Sequence, residues 1–183
     1  MAKLILGLCG EMGSGKGTIA QYIIEKKDGS THRFSTMLRD VLDRLFIEQS
    51  RDNLQVLSTF LRKTYGEDIL AKVMFHEVAN DNHQVVVIDG IRRMSDIAFL
   101  LKLPEFKLVY VEVPMETRFA RISDRAENAD DKTKSYDEFI KANQNEAEIQ
   151  IRDLKDKAAI VLENSGSIDD LQRRIDEIIQ SNI

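Results

Sequence analysis

The chain has 183 residues, which is enough to bury one well-packed core. Its 26 basic and 31 acidic residues give a net charge of −5, so no basic surplus marks nucleic acid as a partner. A single cysteine excludes a disulfide framework, and no apolar run approaches the ~18 residues that span a bilayer. We expect a cytoplasmic protein without a membrane partner that folds as a single domain over residues 1–183, with its oligomeric state open.

The strongest pattern is a glycine-rich stretch between a predicted strand over residues 3–9 and a predicted helix over 15–27. Residues 10–18 read Gly-Glu-Met-Gly-Ser-Gly-Lys-Gly-Thr. Glycines let the backbone wrap a phosphate closely, and the helix start adds the positive end of a dipole. Lys16 is expected to reach the β- and γ-phosphates as a mobile positive charge. The backbone amides predicted to hold the phosphates belong to Gly13, Ser14, Gly15, Lys16, Gly17 and Thr18.

One feature of this loop separates two classes of nucleotide-binding protein. The general pattern places Ser or Thr directly after the Lys, whereas here Gly17 intervenes and the hydroxyl comes at Thr18. This Gly-x-Gly-Lys-Gly-Thr form resembles the P-loop of adenylate kinase and other nucleoside monophosphate kinases. The resemblance implies ATP and Mg²⁺ as cofactors, with the metal held largely through water. It disfavours GTPase switches, and the sequence has no Asn-Lys-x-Asp segment to read guanine.

A short strand and two helices follow. Residues 31–34 predict the second strand, and Ser35-Thr36 then predicts a helix N-cap. The helix behind it has an apolar stripe that includes Phe46. A further helix over about 52–65 has Phe60 on its apolar face.

A third helix is predicted over residues 67–79, with Val73 directed inward. Three helices therefore stand where a minimal doubly wound fold needs only one crossover. Such an insertion, over residues 35–80, is where a kinase could hold its second substrate. Arg39 and Arg51 lie in this region and are the weaker candidates for binding the acceptor.

The clearest strand covers residues 84–90, where four β-branched apolar residues indicate a central strand. Asp89 stands at its carboxyl end, where ligands gather in parallel sheets, so Asp89 and Thr18 are the predicted metal residues. Arg92 and Arg93 follow at once. The segment resembles the Asp-Gly-aromatic-Pro-Arg segment of nucleoside monophosphate kinases, which implies that Arg92 contacts the acceptor phosphate. Whether Arg93 contacts phosphate stays open.

A helix with three arginines follows the fourth strand. Arg118, Arg121 and Arg125 are spaced at i, i+3 and i+7, so they share one face. In P-loop kinases this position belongs to a lid that closes over the phosphates, and a short lid is predicted over residues 118–134. Arg121 and Arg125 are the predicted phosphate contacts, and Arg118 is the weaker candidate.

The loop after the fifth strand completes the predicted site. In the family this loop passes the adenine base, so Asn164 is predicted to bind the nucleotide. The remaining predicted elements are a helix over 94–102, a strand over 106–113, a long helix over 135–156, a strand over 158–163 and a last helix over 167–181.

The alternation of strands and helices indicates an α/β fold with a parallel sheet and right-handed crossovers. The resemblance to P-loop kinases covers nearly the whole chain and implies a three-layer P-loop NTPase fold, with five parallel strands in the order 2-3-1-4-5. Residues 160–166 also look like the carboxyl ends of dephospho-coenzyme A kinases and of phage-type deoxynucleoside monophosphate kinases. Residues 65–71 resemble the latter group and archaeal proteins related to adenylate kinase.

The leading hypothesis is a nucleotide kinase that moves the γ-phosphate of ATP to a nucleoside or deoxynucleoside monophosphate. In this hypothesis Lys16, Arg92, Arg121 and Arg125 are catalytic, because positioning and charge neutralisation carry phosphoryl transfer. One alternative is hydroxyl phosphorylation, as in dephospho-coenzyme A kinases, which carry an Asp after strand two where this chain has Ser35-Thr36. The other is an ATP-binding regulator without transferase activity. The sequence does not identify the acceptor.

Overall fold

The computed structural model describes residues 4–125, 135–144 and 146–183. At its centre lies a five-stranded sheet in which every adjacent pair is parallel. The strands are β1 (Leu4–Cys9), β2 (Ser30–Arg33), β3 (Val85–Asp89), β4 (Phe106–Glu112) and β5 (Ile160–Glu163). They lie in the order β2-β3-β1-β4-β5, which confirms the predicted order.

Helices connect the strands and cover the sheet. They are α1 (Lys16–Lys26), α2 (Phe34–Arg44), α3 (Arg51–Tyr65), α4 (Ile69–Ala79), α5 (Met94–Ile97), α6 (Met115–Arg125), α7 (Tyr136–Ala142), α8 (Glu146–Asp153) and α9 (Ile168–Asn182). Short 3₁₀ turns follow α5 and α8, at Leu100–Lys102 and Leu154–Lys157. Within the described ranges, no helix is both long enough and apolar enough to cross a membrane.

Two apolar cores lie on opposite faces of the sheet, and the alternation of β1 sorts its side chains between them. Ile5 and Cys9 join the core that includes residues of α2 and α4, whereas Leu6 and Leu8 join the core that includes α1 and α9. Successive strand residues point to opposite faces, so a strand covered on both sides must be apolar throughout. The fold therefore has three layers, as predicted.

The register of the strands brings their carboxyl ends to one edge. Gly7 lies opposite Ile88, Cys9 lies opposite Tyr110, and Arg33 lies opposite Asp89. The loops that follow β1, β2 and β3 therefore emerge side by side. This edge carries the candidate site, as expected for a parallel α/β sheet.

Several predicted boundaries are wrong. Helix α2 begins at Phe34 with Arg33 as its N-cap, so Ser35-Thr36 is not the cap. The strand before it covers Ser30–Arg33 rather than 31–34. The helix predicted over 94–102 is α5 and a separate 3₁₀ turn, and the long helix predicted over 135–156 is interrupted at least once, between α7 and α8.

The predicted apolar stripes include residues that the structure exposes. Phe46 lies beyond the end of α2 with a φ of 57° and is 98% exposed, because the chain turns there rather than continuing the helix. Phe60 and Val73 are 56% and 37% exposed. Helical spacing gives the face of a residue, but burial depends on whether another element covers that face.

Candidate active site

The predicted phosphate loop joins β1 to α1 at the sheet edge. Gly15 is the N-cap of α1 with a φ of 96°, and a Cβ there would lie 2.4 Å from Asn164 Nδ2. A Cβ on Gly10 would lie 2.5 Å from the carbonyl oxygen of Val111. Both positions therefore require glycine, for dihedral angle and for space. A Cβ on Gly17 would meet no described atom within 4 Å, so this side of the loop is open.

Lys16 lies across the mouth of the loop. Its Nζ donates to the carbonyl oxygens of Gly10 and Glu11 at 2.6 and 3.1 Å, and to Ser14 Oγ at 3.2 Å. The ammonium is thus held by oxygens of its own loop. The first turn of α1 has no acidic residue, so the helix dipole and Lys16 act on an anion without opposition there.

Asn164 binds the phosphate loop at Ser14. Its side chain is buried, and Nδ2 donates to the carbonyl oxygen of Ser14 at 2.9 Å. Arg121 Nη2 donates to the carbonyl oxygen of Asn164 at 2.8 Å, and Arg121 Nη1 lies 3.9 Å from where a Cβ on Gly15 would stand. The structure therefore brings Arg121 and Asn164 to the phosphate loop.

Arg118 has a different role from the one that its helical spacing suggests. It is 2% exposed and donates to the carbonyl oxygens of Met12 and Val113, at 3.1 and 3.3 Å, and to Asn143 Oδ1 at 2.8 Å. Its guanidinium is engaged with the protein, so we do not place it among the phosphate contacts. The side chain of Arg125 and residues 126–134 of the predicted lid lie outside the described residues.

Asp89 stands at the end of β3 with both carboxylate oxygens engaged. Oδ1 accepts from the amide of Gly90 at 2.8 Å, and Oδ2 lies 3.0 Å from Arg33 Nε. Sequence reasoning missed Arg33, although the end of β2 beside β3 is a position where it could have been found. The Arg33 side chain is 55% exposed and the Asp89 side chain 15% exposed.

Thr18 and Asp89 remain the predicted metal residues. Asp89 and Thr18 offer oxygens, which are the ligands that Mg²⁺ prefers. Within the described part of the chain, no three His, Cys, Asp or Glu side chains gather as a metal-binding group.

The buried carboxylate of Asp96 binds the backbone of the loop after β3. Asp96 Oδ2 accepts from the amides of Arg92 and Arg93 at 2.9 and 3.1 Å, and Oδ1 lies 2.6 Å from Arg62 Nη2. Arg62 also donates to Ser95 Oγ and to the carbonyl oxygen of Glu67. The backbone at Arg92 is fixed while its side chain is exposed.

The other two candidates for the acceptor lie farther along the chain. Arg39 is exposed on α2 and its Nη1 lies 3.2 Å from Gln49 Oε1, while Arg51 is exposed at the start of α3. Their roles stay predictions.

Cys9 lies at the end of β1, directly before the phosphate loop. Its side chain is buried and burial raises the pKa of its thiol to about 12. Burial therefore disfavours the thiolate form, and Cys9 packs in the same core as Ile5.

A family model described as an AAA domain matches residues 6–151 of this chain. The chain belongs to that family, AAA_18. The match includes the phosphate loop and the loop after β3. The family name specifies no acceptor.

Relatives and solved structures agree with this fold. A UPF0200 protein of Hyperthermus butylicus is 27% identical over 170 residues, covering 93% of this chain and 90% of that protein. One from Saccharolobus solfataricus is 25% identical over 180 residues, covering 96% and 92%. Shikimate kinase from Bacteroides thetaiotaomicron has a TM-score of 0.64 at 18% identity, covering 97% of this chain and 98% of that one. TT1252 from Thermus thermophilus has a TM-score of 0.65, also at 18% identity, and each chain is fully covered. The predicted P-loop kinase fold is confirmed, and the UPF0200 names state no activity.

Proposed function

We propose that the chain is an ATP- and Mg²⁺-dependent kinase that transfers the γ-phosphoryl group to a nucleoside or deoxynucleoside monophosphate. In this proposal residues 1–183 form one kinase domain, 35–80 bind the acceptor and 118–134 form the lid. The observation that carries it is the exposed Arg92 on a clamped backbone three residues after Asp89. A guanidinium placed this way suits an anionic acceptor, because Arg binds phosphate through two parallel hydrogen bonds.

On the donor side, the chain holds the ATP phosphates with its loop amides and Lys16. Bound phosphates replace the carbonyl and hydroxyl oxygens that Lys16 contacts in this structure. Arg121, beside Gly15, neutralises charge on the transferred group, and Asn164 keeps the loop in shape. Thr18 and Asp89 hold Mg²⁺, which neutralises phosphate charge when bound.

On the acceptor side, Arg92 orients the phosphate of the acceptor, with Arg39 and Arg51 as further candidates. Such an acceptor is already an anion, so the protein needs no strong general base. Its work is to align two phosphates and to offset their mutual repulsion with positive charge.

A hydroxyl acceptor is the second candidate, because shikimate kinases share the fold. A hydroxyl needs a carboxylate base within hydrogen-bond reach. The segment that follows β2 is Phe34-Ser35-Thr36, which offers no carboxylate. These residues favour the monophosphate acceptor. An ATP-binding regulator without transferase activity is the third candidate.

The proposal is tested by ADP release in a coupled assay with ATP and Mg²⁺. The acceptor panel contains the four ribonucleoside monophosphates, the deoxy-monophosphates, dephospho-coenzyme A and shikimate. Lys16→Ala should abolish turnover, whereas Lys26→Ala, on the exposed side of the same helix, should not. Turnover with a hydroxyl acceptor alone would replace the monophosphate proposal. ATP binding with no acceptor-dependent turnover across the panel would favour the regulator.

A further inference from the structure

The tip of the phosphate loop is held by side chains from two helices, α6 and α8, which lie outside the loop's motif. Glu11 Oε1 lies 3.3 Å from Arg118 Nη2 of α6 and 3.0 Å from Arg152 Nε of α8. Arg118 Nη1 donates to Asn143 Oδ1 at 2.8 Å, and Arg152 Nη2 donates to the carbonyl oxygen of Asn143 at 2.9 Å. These four residues, Glu11, Arg118, Asn143 and Arg152, close a ring that we call the tip network.

The tip network is buried at its centre and open at one side. Arg118 and Asn143 are 2% and 1% exposed, whereas the side chains of Glu11 and Arg152 are 17% and 44% exposed. Two guanidinium groups face one carboxylate, so the network carries one net positive charge next to the phosphate site. Removing charges from water is unfavourable, so partly buried ion pairs often add little to stability. A role in fixing loop geometry accounts better for the network than stability does.

The network acts on the same peptide segment that Lys16 contacts. Arg118 donates to the carbonyl oxygen of Met12, while Lys16 donates to those of Gly10 and Glu11. A Cβ on Gly13 would lie 2.8 Å from the carbonyl oxygen of Arg118, so the α6 backbone packs directly on the loop. If the tip rotates, the backbone that leads into the predicted phosphate-binding amides rotates with it.

We propose that Glu11 and Arg152 are positioning residues that hold the phosphate loop in its nucleotide-binding shape. The inference rests on the proposed function only in requiring that this loop binds a nucleotide. It also has a reciprocal consequence. If the Glu11–Arg152 contact favours nucleotide binding, bound nucleotide must strengthen that contact by the same free energy. Nucleotide binding therefore stabilises α8, which contributes no residue to the phosphate-binding loop.

A purely electrostatic role and a positioning role predict opposite changes in ADP affinity for Glu11→Gln. If the network only supplied charge, removing the carboxylate would leave the site more positive, and ADP would bind more tightly. If Glu11 positions the loop, Glu11→Gln weakens ADP binding despite the added positive charge. Arg152→Gln weakens binding in both cases, so Glu11→Gln is the deciding variant.

The experiment measures ADP affinity by titration calorimetry with Mg²⁺ for Glu11→Gln, Arg152→Gln, Arg152→Lys and the double variant Glu11→Gln/Arg152→Gln. Each Gln variant should lose about 5- to 10-fold in affinity, the low end of typical coupling, because Arg152 is 44% exposed. Arg152→Lys should recover little, since an ammonium cannot bridge Glu11 and Asn143 as a planar fork does. The double variant should lose less than the product of the single losses.

Two controls separate this inference from loss of folding. Arg173→Gln breaks an exposed pair with Glu177 (2.7 Å) on α9 and should leave ADP affinity unchanged. Urea unfolding without nucleotide should place Arg152→Gln near the wild-type protein. Hydrogen exchange over residues 149–153 should slow when ADP binds the wild-type protein, and should not respond in Arg152→Gln.

Three outcomes would overturn the inference. The first is tighter ADP binding by Glu11→Gln, and the second is wild-type ADP affinity in Arg152→Lys. The third is a hydrogen-exchange rate in α8 of the wild-type protein that does not change when ADP is added. Failure of the kinase proposal looks different, because ADP then binds normally and no acceptor is phosphorylated. The measurement uses no acceptor, so its result stands apart from that of the turnover panel.

Discussion

Breaking the buried ion pair between Arg62 and Asp96 should destabilise the protein far more than breaking a surface pair. The two side chains are 7% and 3% exposed, and Nη2 lies 2.6 Å from Oδ1. Removing one partner of a buried pair typically costs about 3–5 kcal/mol, because the other charge is left without compensation. In Arg62→Met, Asp96 Oδ2 keeps the amides of Arg92 and Arg93, so we expect the low end, about 3 kcal/mol.

The buried pair also predicts the stability of Asp96→Asn and of the double variant. Asp96→Asn should also cost about 3 kcal/mol, because it leaves a buried guanidinium without a counter-charge. The double variant Arg62→Met/Asp96→Asn should lose only about 2 kcal/mol, since an asparagine oxygen still accepts from the two amides. The single variants should lower the melting temperature by about 6–12 °C, given ~2–4 °C per kcal/mol for a chain of this size.

The assay is urea unfolding followed by far-UV circular dichroism, which suits a chain without tryptophan. Arg173→Met is the matched control. The Arg173 side chain is 60% exposed and pairs with an equally exposed Glu177, so its loss should change stability by less than ~1 kcal/mol. Losses below ~1 kcal/mol in Arg62→Met, or strict additivity in the double variant, would refute the reasoning that the pair is desolvated and coupled.

Three further predictions concern single sites. Gly15→Ala should abolish ADP binding in calorimetry, because φ is 96° and its Cβ would lie 2.4 Å from Asn164 Nδ2; retained binding would contradict the loop geometry. Asn164→Ala should weaken ADP binding about tenfold in the same assay, since the loop then loses its hydrogen bond to the Ser14 carbonyl. Burial acts to raise the pKa of Asp81, but hydrogen bonds from Ser30, the His83 amide and His32 outweigh it and hold the pKa well below its ordinary 3.8. Asp81→Asn should therefore cost about 1–2 kcal/mol at neutral pH, and urea titrations should show the difference persisting above pH ~4 and shrinking as the pH falls below it.

The parts of the site that the sequence predicts are contiguous in the chain. The phosphate loop needs glycines, Lys16 and a helix start at fixed spacing, and all lie within nine residues, 10–18. Asp89 lies outside that stretch, but the local sequence predicts it too, because it ends a strand whose apolar run marks the strand as central. The order of the strands, in contrast, came from the family resemblance, since apolar runs alone do not say which strands are neighbours.

The parts that the sequence does not predict depend on contacts between distant residues. Arg62 and Asp96 are 34 positions apart, and each looks like an ordinary surface charge on a helix. Arg33 reaches Asp89 only because β2 pairs with β3 in one particular register. Charged residues are usually solvated, so nothing in the sequence predicts that Arg62 and Asp96 are buried.

The arginines of α6 show why spacing alone could not separate structure from chemistry. Arg118 and Arg121 share a helical face, yet Arg118 reaches the loop tip at Met12 while Arg121 reaches Asn164, which binds the other half of the loop at Ser14. Helix α6 therefore contacts the loop directly at Met12 and, through Asn164, at Ser14. We therefore expect the shape of the loop, and with it the affinity for nucleotide, to depend on α6 as well as on the glycine-rich motif.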